Sequence, residues 1–214
     1  MPSITRRPPK SEEDRTAVRA RLLATTQRLL TEGVGFTELG VQRIAAEAKV
    51  ARSSFYVHFK DKSELLLQLA ASFKQKSFDI VSRWQAGPDA DWEGLARAYE
   101  EVIALYRENR ALLGAINEAA AYDPAVRAYW NAQLGRFRSA MAGRLRAEQR
   151  DGLLGPDVDP EVAARVVVFG GFAVLSQHIA DGDSAEDAAI ARETALAHWH
   201  GTFRRPSPST GTGR

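Results

Sequence analysis

The sequence contains no cysteine, so it can form neither a disulfide framework nor a cysteine-ligated metal site. No run in it approaches the ~18–20 consecutive apolar residues of a membrane-spanning helix. Residues 1–10 are rich in proline and arginine and lack the apolar stretch of a signal peptide. From these absences we expect a cytoplasmic protein that does not associate with a membrane.

Sequence signatures of catalysis are also missing. There is no G-x-S-x-G nucleophile elbow, no phosphate-binding glycine loop and no H-E-x-x-H motif. His198 and His200 are two residues apart, so on a helix they point in nearly opposite directions and are poorly placed to share a metal ion. We therefore predict that the chain is not an enzyme and has no catalytic residue, no cofactor and no metal site.

Alternating, strand-like runs are absent, and apolar residues recur with a helical period along the chain. The pattern predicts an all-α protein of about nine helices. Apolar stripes, capping residues and stop signals set the expected helix bounds: 12–32, 41–48, 52–59, 62–86, 91–108, 110–121, 124–151, 160–181 and 184–203.

Charge is distributed unevenly, although the net charge is only +2. Residues 1–62 carry 12 Lys and Arg against 7 Asp and Glu, whereas the remainder is slightly acidic, with 17 against 20. A basic first third is what phosphate binding requires. A solvated basic tail explains Arg6, Arg7 and Lys10 equally well.

Residues 41–62 have the pattern of two short helices joined by a tight turn. In the first helix, Val41, Ile44, Ala45 and Ala48 fall on one face. In the second, Phe55 and Phe59 point inward and leave polar side chains on the outside. Helices this short are not stable alone, so packing must hold them. A short helix with an apolar back and a basic, hydroxyl-rich front fits the major groove of DNA.

This stretch resembles the helix-turn-helix of TetR-type bacterial transcriptional regulators. The resemblance rests on Ile44-Ala45, Val50, and the spacing Phe55-Tyr56-x-His58-Phe59-x-x-Lys62-x-x-Leu65, and covers about residues 13–69. Gly40, Lys49 and Ala51 depart from the family pattern, which has a hydroxyl residue, a glycine and a hydroxyl residue at these places. A weaker likeness, Val126-x-x-x-Trp130 in an aromatic-rich bundle, points to the ethionamide-regulator branch.

The resemblance implies four segments and a set of DNA contacts. The segments are a disordered basic arm (1–11), a helix-turn-helix domain (12–62), a ligand-binding and dimerisation domain (63–205) and a disordered tail (206–214). Arg52, Ser53 and Ser54 are then expected to meet base edges. Phosphates or bases are expected to be met by Gln42, Arg43, Lys49, Tyr56, His58 and Lys62. The competing interpretation is packing against the first helix for Tyr56 and simple solvation for His58 and Lys62.

The rest of the chain resembles the regulatory domain of the family. Its dense aromatic residues form either a core or an apolar pocket. The pocket candidates are Trp92, Tyr99, Ile103, Tyr106, Ile116, Asn117, Trp130, Leu134, Phe137, Phe169 and Phe172, with Asn117 as the polar anchor. Small residues on the last two helices predict either a dimer interface or close packing within one chain: Gly170, Gly171, Ala173, Ala191 and Ala195.

These features predict a homodimeric repressor that leaves a palindromic operator on double-stranded DNA when a small lipophilic effector binds. The absence of a cluster of acidic or basic residues in the bundle favours a neutral or weakly polar effector. Activation in place of repression also remains open, because the sequence does not determine the direction of regulation. Two other classes remain open: a DNA-organising protein that senses nothing, and a small-molecule carrier with a vestigial DNA-binding head.

Overall fold

The computed structural model describes residues 12–87 and 90–205, and these form helices connected by short loops. The predicted arm and tail lie outside the described residues. The nine α-helices of the described chain are α1 (Glu12–Thr31), α2 (Val41–Glu47), α3 (Arg52–His58), α4 (Lys62–Ala86), α5 (Trp92–Glu108), α6 (Arg110–Tyr122), α7 (Pro124–Arg150), α8 (Pro160–Asp181) and α9 (Asp187–His198).

Helices α1, α2 and α3 form a small N-terminal head around one apolar core. Leu22 of α1, Ile44 of α2 and Phe55 of α3 are completely buried in it. Phe36 and Leu39, in the connector between α1 and α2, are buried with them. Because α2 and α3 have only seven residues each, this shared core holds them in place.

Helix α4 leaves the head and enters the bundle formed by α5 to α9. Asp61 caps it by accepting a hydrogen bond from the Glu64 backbone N–H at 2.8 Å, as predicted. The Glu64 carboxylate accepts from the Lys60 N–H at 2.7 Å, one residue before the expected capping-box partner. With 25 residues, α4 is about 38 Å long and links the two parts of the molecule.

Aspartates define the starts of three bundle helices. Asp91, Asp123 and Asp159 each accept hydrogen bonds from backbone N–H groups in the first turns of α5, α7 and α8. Pro124 and Pro160 follow two of these caps at the first helical position, where the missing N–H is not needed. The predicted starts of these helices are confirmed to within a residue.

The last predicted helix is divided into three parts. A 3₁₀ turn at Ser184–Glu186 precedes α9, and a π-helical turn at Trp199–Phe203 follows it. The π-helical turn is closed by a hydrogen bond from the Arg204 N–H to the Trp199 carbonyl at 2.8 Å. It brings the Trp199 and Phe203 rings into a stack, and Phe203 packs edge-on against Trp84 of α4.

Helix α8 is the most apolar helix of the described chain. It is long and apolar enough to meet the length and composition test for a membrane span, with a mean hydropathy of 1.5 in its best window. Its longest uninterrupted apolar run, residues 166–175, is much shorter than the ~18–20 apolar residues of a membrane span. Core helices of soluble proteins meet the same test, and α8 packs along α7 within the bundle.

Candidate DNA-binding surface and effector cavity

Helix α3 presents a polar face to solvent and an apolar face to the head. Phe55 is 0% exposed and Phe59 1% exposed, whereas Tyr56 on the opposite side is 48% exposed. Arg52 and Ser53 are exposed at the N-terminal end of the helix, as predicted. The Arg52 guanidinium lies 5.7 Å from the centre of the Tyr56 ring and donates a 3.4 Å hydrogen bond to its hydroxyl. The two side chains thus form one outward-facing unit.

The other candidate contacts surround this unit. Gln42, Arg43 and Lys49 are exposed, and Ser54 and His58 are partly exposed. His58 lies beside Phe59, with the ring centres 6.4 Å apart. Arg28 of α1 forms ion pairs with Glu32 and with Glu47 of α2. The pair with Glu47 links α1 to α2. Apart from Lys62, all of the predicted DNA contacts are thus at least partly exposed on the outer surface around α3.

The turn between α2 and α3 contains a lysine in a left-handed conformation. Lys49 has a φ of +55°. The Val50 N–H bonds the Ala45 carbonyl at 3.0 Å and the Lys49 N–H bonds the Ala46 carbonyl at 3.0 Å. This pair of bonds is the Schellman motif, in which glycine is favoured at the left-handed position. Lys49 is therefore a departure from the family pattern that strains the backbone.

Replacing Lys49 by glycine is expected to raise the free energy of unfolding by about 0.5–1 kcal/mol, because glycine adopts the left-handed conformation without a steric penalty. Urea-induced unfolding followed by circular dichroism measures this difference. Lys49→Ala is the matched control: it removes the charge, keeps Cβ and should leave stability near the wild-type value. Equal stabilisation by both substitutions would show that charge, and not backbone strain, is responsible.

Lys62 lies at the start of α4, as predicted, but its ammonium is hydrogen-bonded within the protein. Its Nζ donates hydrogen bonds to the carbonyls of Phe36 at 2.8 Å and Thr37 at 3.0 Å and lies 4.7 Å from the centre of the Phe36 ring. Burial lowers the pKa of Lys62 from its ordinary value. We therefore revise the interpretation of Lys62 as a phosphate contact, since its ammonium is engaged by the connector between α1 and α2.

The same connector is held from the opposite side by the bundle. Glu118 of α6 accepts hydrogen bonds from the backbone N–H groups of Phe36 at 3.1 Å and Thr37 at 2.9 Å, and from the Thr37 hydroxyl. The bond from the Thr37 hydroxyl is the main cause that lowers the pKa of Glu118. A second link joins the Ser63 hydroxyl to the Asp123 carboxylate at 2.6 Å. Sequence reasoning did not identify this head–bundle contact, which we call the connector clasp.

A cavity of about 70 Å³ lies inside the bundle between α4, α5, α7 and α8. Its lining is almost entirely apolar. The lining side chains are Lys74, Ser77, Val81, Leu95, Tyr99, Val102, Tyr106, Leu134, Phe137, Met141, Val167, Val168, Gly171, Phe172 and Leu175. A cavity for a drug-sized ligand measures ~300–1,000 Å³, so a larger ligand requires these walls to move apart.

The structure places five of the eleven pocket candidates on this lining: Tyr99, Tyr106, Leu134, Phe137 and Phe172. Trp130 lies just behind it and packs edge-on against Phe172. The other five candidates do not line this cavity. Ile103 and Ile116 are fully enclosed in the core, Trp92 packs near Arg192, Asn117 is exposed on α6, and Phe169 is 38% exposed on the outer side of α8.

The polar groups of the cavity are few and are contributed mainly by α4 and α5. The Tyr99 hydroxyl and His198 Nδ1 are 2.7 Å apart, and burial lowers the pKa of His198 to about 4, so the ring is neutral at pH 7. Burial also raises the pKa of both Tyr99 and Tyr106, which remain neutral. Lys74 is the one cation of the lining and was not among the predicted residues.

The outer side of α8 exposes an apolar stripe that no other part of the described chain covers. Val162 is 51% exposed, Val166 62%, Phe169 38% and Val174 45%. Gly170 and Ala173 are exposed on the same helix, as a dimer interface requires. We call this set of six residues the α8 stripe.

Three of the predicted interface residues are packed inside the monomer. Ala191 and Ala195 of α9 are 0% exposed, on a helix that packs closely along α5. Gly171 is buried against the Tyr99–His198 pair, and a Cβ there would lie 3.0 Å from the His198 ring. For these three the alternative of close packing within one chain is correct, because small side chains allow α8 and α9 to approach α5.

The three-helix head, the exposed α3 and the bundle behind it form the architecture of a helix-turn-helix protein. Comparison with known proteins agrees. Residues 22–69 match the family model of bacterial regulatory proteins of the tetR family. The HTH-type transcriptional regulator EthR of Mycolicibacterium smegmatis is 28% identical over 151 residues, which cover 70% of this chain and 67% of that protein.

Solved structures show the same fold over almost the whole chain. NalD, the secondary repressor of the MexAB-OprM multidrug efflux pump in Pseudomonas aeruginosa, has a TM-score of 0.70 and 17% identity, covering 90% of this chain and 100% of NalD. The fatty acid degradation regulator FadR from Bacillus halodurans has a TM-score of 0.69 and 16% identity, covering 90% of this chain and 97% of FadR.

Residues 22–69 therefore resemble the N-terminal domain of the tetR family of bacterial regulatory proteins. The relatives of the chain are DNA-binding transcriptional regulators and not enzymes. The EthR relative agrees with the branch that the Val126-x-x-x-Trp130 pattern indicated. Among the described residues no group of His, Asp or Glu side chains is placed to hold a metal ion.

Proposed function

We propose that the protein is a homodimeric repressor that binds a palindromic DNA operator through α3 and leaves it when a small molecule fills the bundle cavity. The observation that carries the proposal is the division of α3 into two faces. Phe55 and Phe59 fix the helix against the head, and Arg52, Ser53 and Tyr56 are presented together to solvent. An arginine at this end of a recognition helix is suited to bidentate contact with guanine.

The α8 stripe supports a dimer with twofold symmetry. A contiguous set of exposed valine and phenylalanine side chains on one helix is unfavourable in water and is a mark of an interaction surface. The same stripe on a second copy is complementary to it, as a twofold interface requires. Two heads joined in this way would read half-sites separated by about one turn of DNA, ~34–36 Å.

Helix α4 supports a connection between the cavity and the head. Lys62 at its N-terminus binds the connector, and Lys74, about 18 Å further along the helix, lines the cavity. Widening the cavity must displace α4 relative to α7 and α8, and the connector clasp passes this displacement to the head. A ligand releases DNA by this route to the extent that it binds the widened state more tightly.

Two observations bear on the alternatives. The head is fully packed and its recognition face is exposed, which disfavours a carrier with a vestigial head. The apolar cavity disfavours a DNA-organising protein that senses nothing. NalD is described as a repressor of an efflux pump, and this supports repression as the direction of control in a relative of the same fold.

An Arg52→Ala variant tests the proposed role of α3. Measured on an operator selected from a random-sequence DNA pool, its affinity should fall by about 1–3 kcal/mol, because a base contact is lost. Its affinity for random DNA should change little. Tyr56→Phe removes only a hydroxyl and should weaken binding to both DNAs alike. An equal loss on both DNAs for Arg52→Ala would contradict its assignment as a base contact.

A further inference from the structure

The cavity contains a buried lysine without a counter-ion. Lys74 of α4 is 1% exposed. Its Nζ donates one hydrogen bond, at 3.1 Å, to the Tyr106 hydroxyl. It forms no ion pair with any carboxylate of the described chain. Since an ammonium has three N–H donors, two of them have no hydrogen-bond acceptor in this structure.

Aromatic rings enclose the ammonium instead. Nζ lies 3.8 Å from the centre of the Trp130 ring, 4.9 Å from that of Phe172 and 5.3 Å from that of Tyr106. Phe73 and Phe137 are within 6 Å as well, at 5.5 and 5.8 Å. Ring faces attract a cation and offset part of the cost of burying it. They do not accept strong hydrogen bonds, so the N–H donors remain available.

Trp130 adds a further unsatisfied donor to the same place. Its indole Nε1 is buried and has no hydrogen-bond partner among the described residues. Buried polar groups of this kind require an explanation, because nearly all of them are paired in folded proteins. A lysine and an indole N–H that both lack acceptors are complementary to a ligand that carries acceptor oxygens and negative charge.

We propose that the effector is an amphipathic monocarboxylate, whose carboxylate pairs with the Lys74 ammonium while its hydrocarbon part lies along the apolar wall. This inference rests on the proposed function of the cavity as the effector site. Only one cation lines the cavity and no acidic residue does, so a single negative charge is matched. The wall that receives the hydrocarbon includes Val102, Leu134, Met141 and Val167.

The cavity lysine changes the earlier expectation of a neutral effector. That expectation depended on the absence of a cluster of charged residues in the sequence. A single buried ammonium can also attract an anionic ligand, because neither water nor a counter-ion screens its charge. A cationic ligand, which aromatic rings also attract, would have to expel the Lys74 ammonium from the rings that it already occupies. A carboxylate requires no such displacement.

Protonation of Lys74 supports the proposal. Burial lowers its pKa from its ordinary value of 10.5 to about 7. The titratable groups that face it, Tyr106 and Tyr99 from α5 and His198 from α9, are neutral near pH 7, and α7 and α8 contribute no titratable residue to the lining. A bound carboxylate favours the charged form, so its affinity should fall as pH rises above about 7.

Calorimetric titration of the full chain with octanoate, octanol and octyltrimethylammonium tests the proposal. At pH about 6.5 the wild-type protein should bind octanoate about ten- to a hundredfold more tightly than octanol. Lys74→Met, which keeps the length and apolar character of the side chain, should lose this preference and retain octanol binding. Lys76→Met, at an exposed position on the same helix, should behave as the wild type.

Several results would overturn the assignment. These are equal binding of octanoate and octanol, a preference that survives in Lys74→Met, tighter binding of octyltrimethylammonium, or binding of none of the three probes. Operator affinity measured in the same samples separates this inference from the proposed function. Release of DNA by octanol with no preference for octanoate would refute only the carboxylate. Octanoate binding that depends on Lys74 but leaves DNA affinity unchanged would refute only the ligand response.

Discussion

A Val166→Asp variant is expected to become monomeric and to lose at least about a hundredfold in operator affinity, because a monomer binds with one head where a dimer binds with two. Val166 is the most exposed of the four large side chains of the α8 stripe, at 62%. An aspartate at this position enters an apolar twofold interface once from each copy, so two unpaired like charges would be buried. The head is far from the substitution along the chain and should keep its fold.

Analytical ultracentrifugation and fluorescence anisotropy with labelled operator measure the two effects on the same samples. Leu153→Asp is the matched control, since Leu153 is exposed to a similar degree, 57%, and lies outside α8. It should remain dimeric and bind DNA normally. A Val166→Asp protein that sediments as a dimer and keeps its operator affinity would show that the α8 stripe is not the interface.

A Lys74→Met variant is expected to be more stable than the wild type at pH 7 by about 1–3 kcal/mol. The ammonium has a pKa of about 7 in the folded protein and near 10.5 in the unfolded chain. Between these values the unfolded chain binds more protons, so wild-type stability rises with pH across this window. The burial cost is largest below pH about 7 and disappears above pH about 10.5. Loss of contact with the Trp130 ring offsets about 0.5–2 kcal/mol of the gain.

Urea-induced unfolding at several pH values checks the sign as well as the size of this effect. The stability difference between Lys74→Met and wild type should narrow as pH rises from about 7 toward 10. Lys76→Met, an exposed control, should lie within about 0.5 kcal/mol of the wild type throughout. A less stable Lys74→Met at pH about 6 would mean that the aromatic rings stabilise the ammonium more than burial destabilises it. A residue that lowers stability in this way is typical of a functional site.

The sequence was sufficient to predict the head because its residues are constrained at short range. The spacing of Ile44, Phe55 and Phe59 determines which sides of α2 and α3 are buried, and that in turn determines which side chains face solvent. Lys49, where the family pattern has a glycine, has a left-handed φ. The hydrogen bonds of Lys62 could not be predicted in this way. Its partners, the carbonyls of the connector, are more than 20 residues away in sequence, so local spacing does not indicate them.

The cavity was predicted less well, because helical periodicity separates buried from exposed positions but not core from cavity. Ile116 and Tyr106 have equally apolar neighbours, yet only Tyr106 reaches the open space. Lys74 was overlooked because lysine is usually exposed. A signal was present: Lys74 is four residues after Ala70 and three before Ser77, both buried on α4, so its position on the inner face was visible in the sequence.

The α8 and α9 interface residues show a related difficulty. Helix α8 is apolar on nearly all sides, so its pattern does not indicate which side faces the chain and which faces a partner. Phe169 was assigned inward and lies outward, while Gly171 was assigned to the interface and lies inward. Only the packing of α9 against α5, which involves residues distant in sequence, distinguishes the two sides.

Competition binding of the wild-type protein to two DNA fragments tests the central claim, that α3 makes this chain a sequence-specific regulator, most directly. One fragment comes from upstream of the gene that encodes the protein, and the other is a scrambled sequence of the same composition. Anisotropy at several salt concentrations should show at least about 10³-fold tighter binding to the first, with both affinities falling steeply as salt increases. Equal affinity for the two fragments at every salt concentration would contradict the claim.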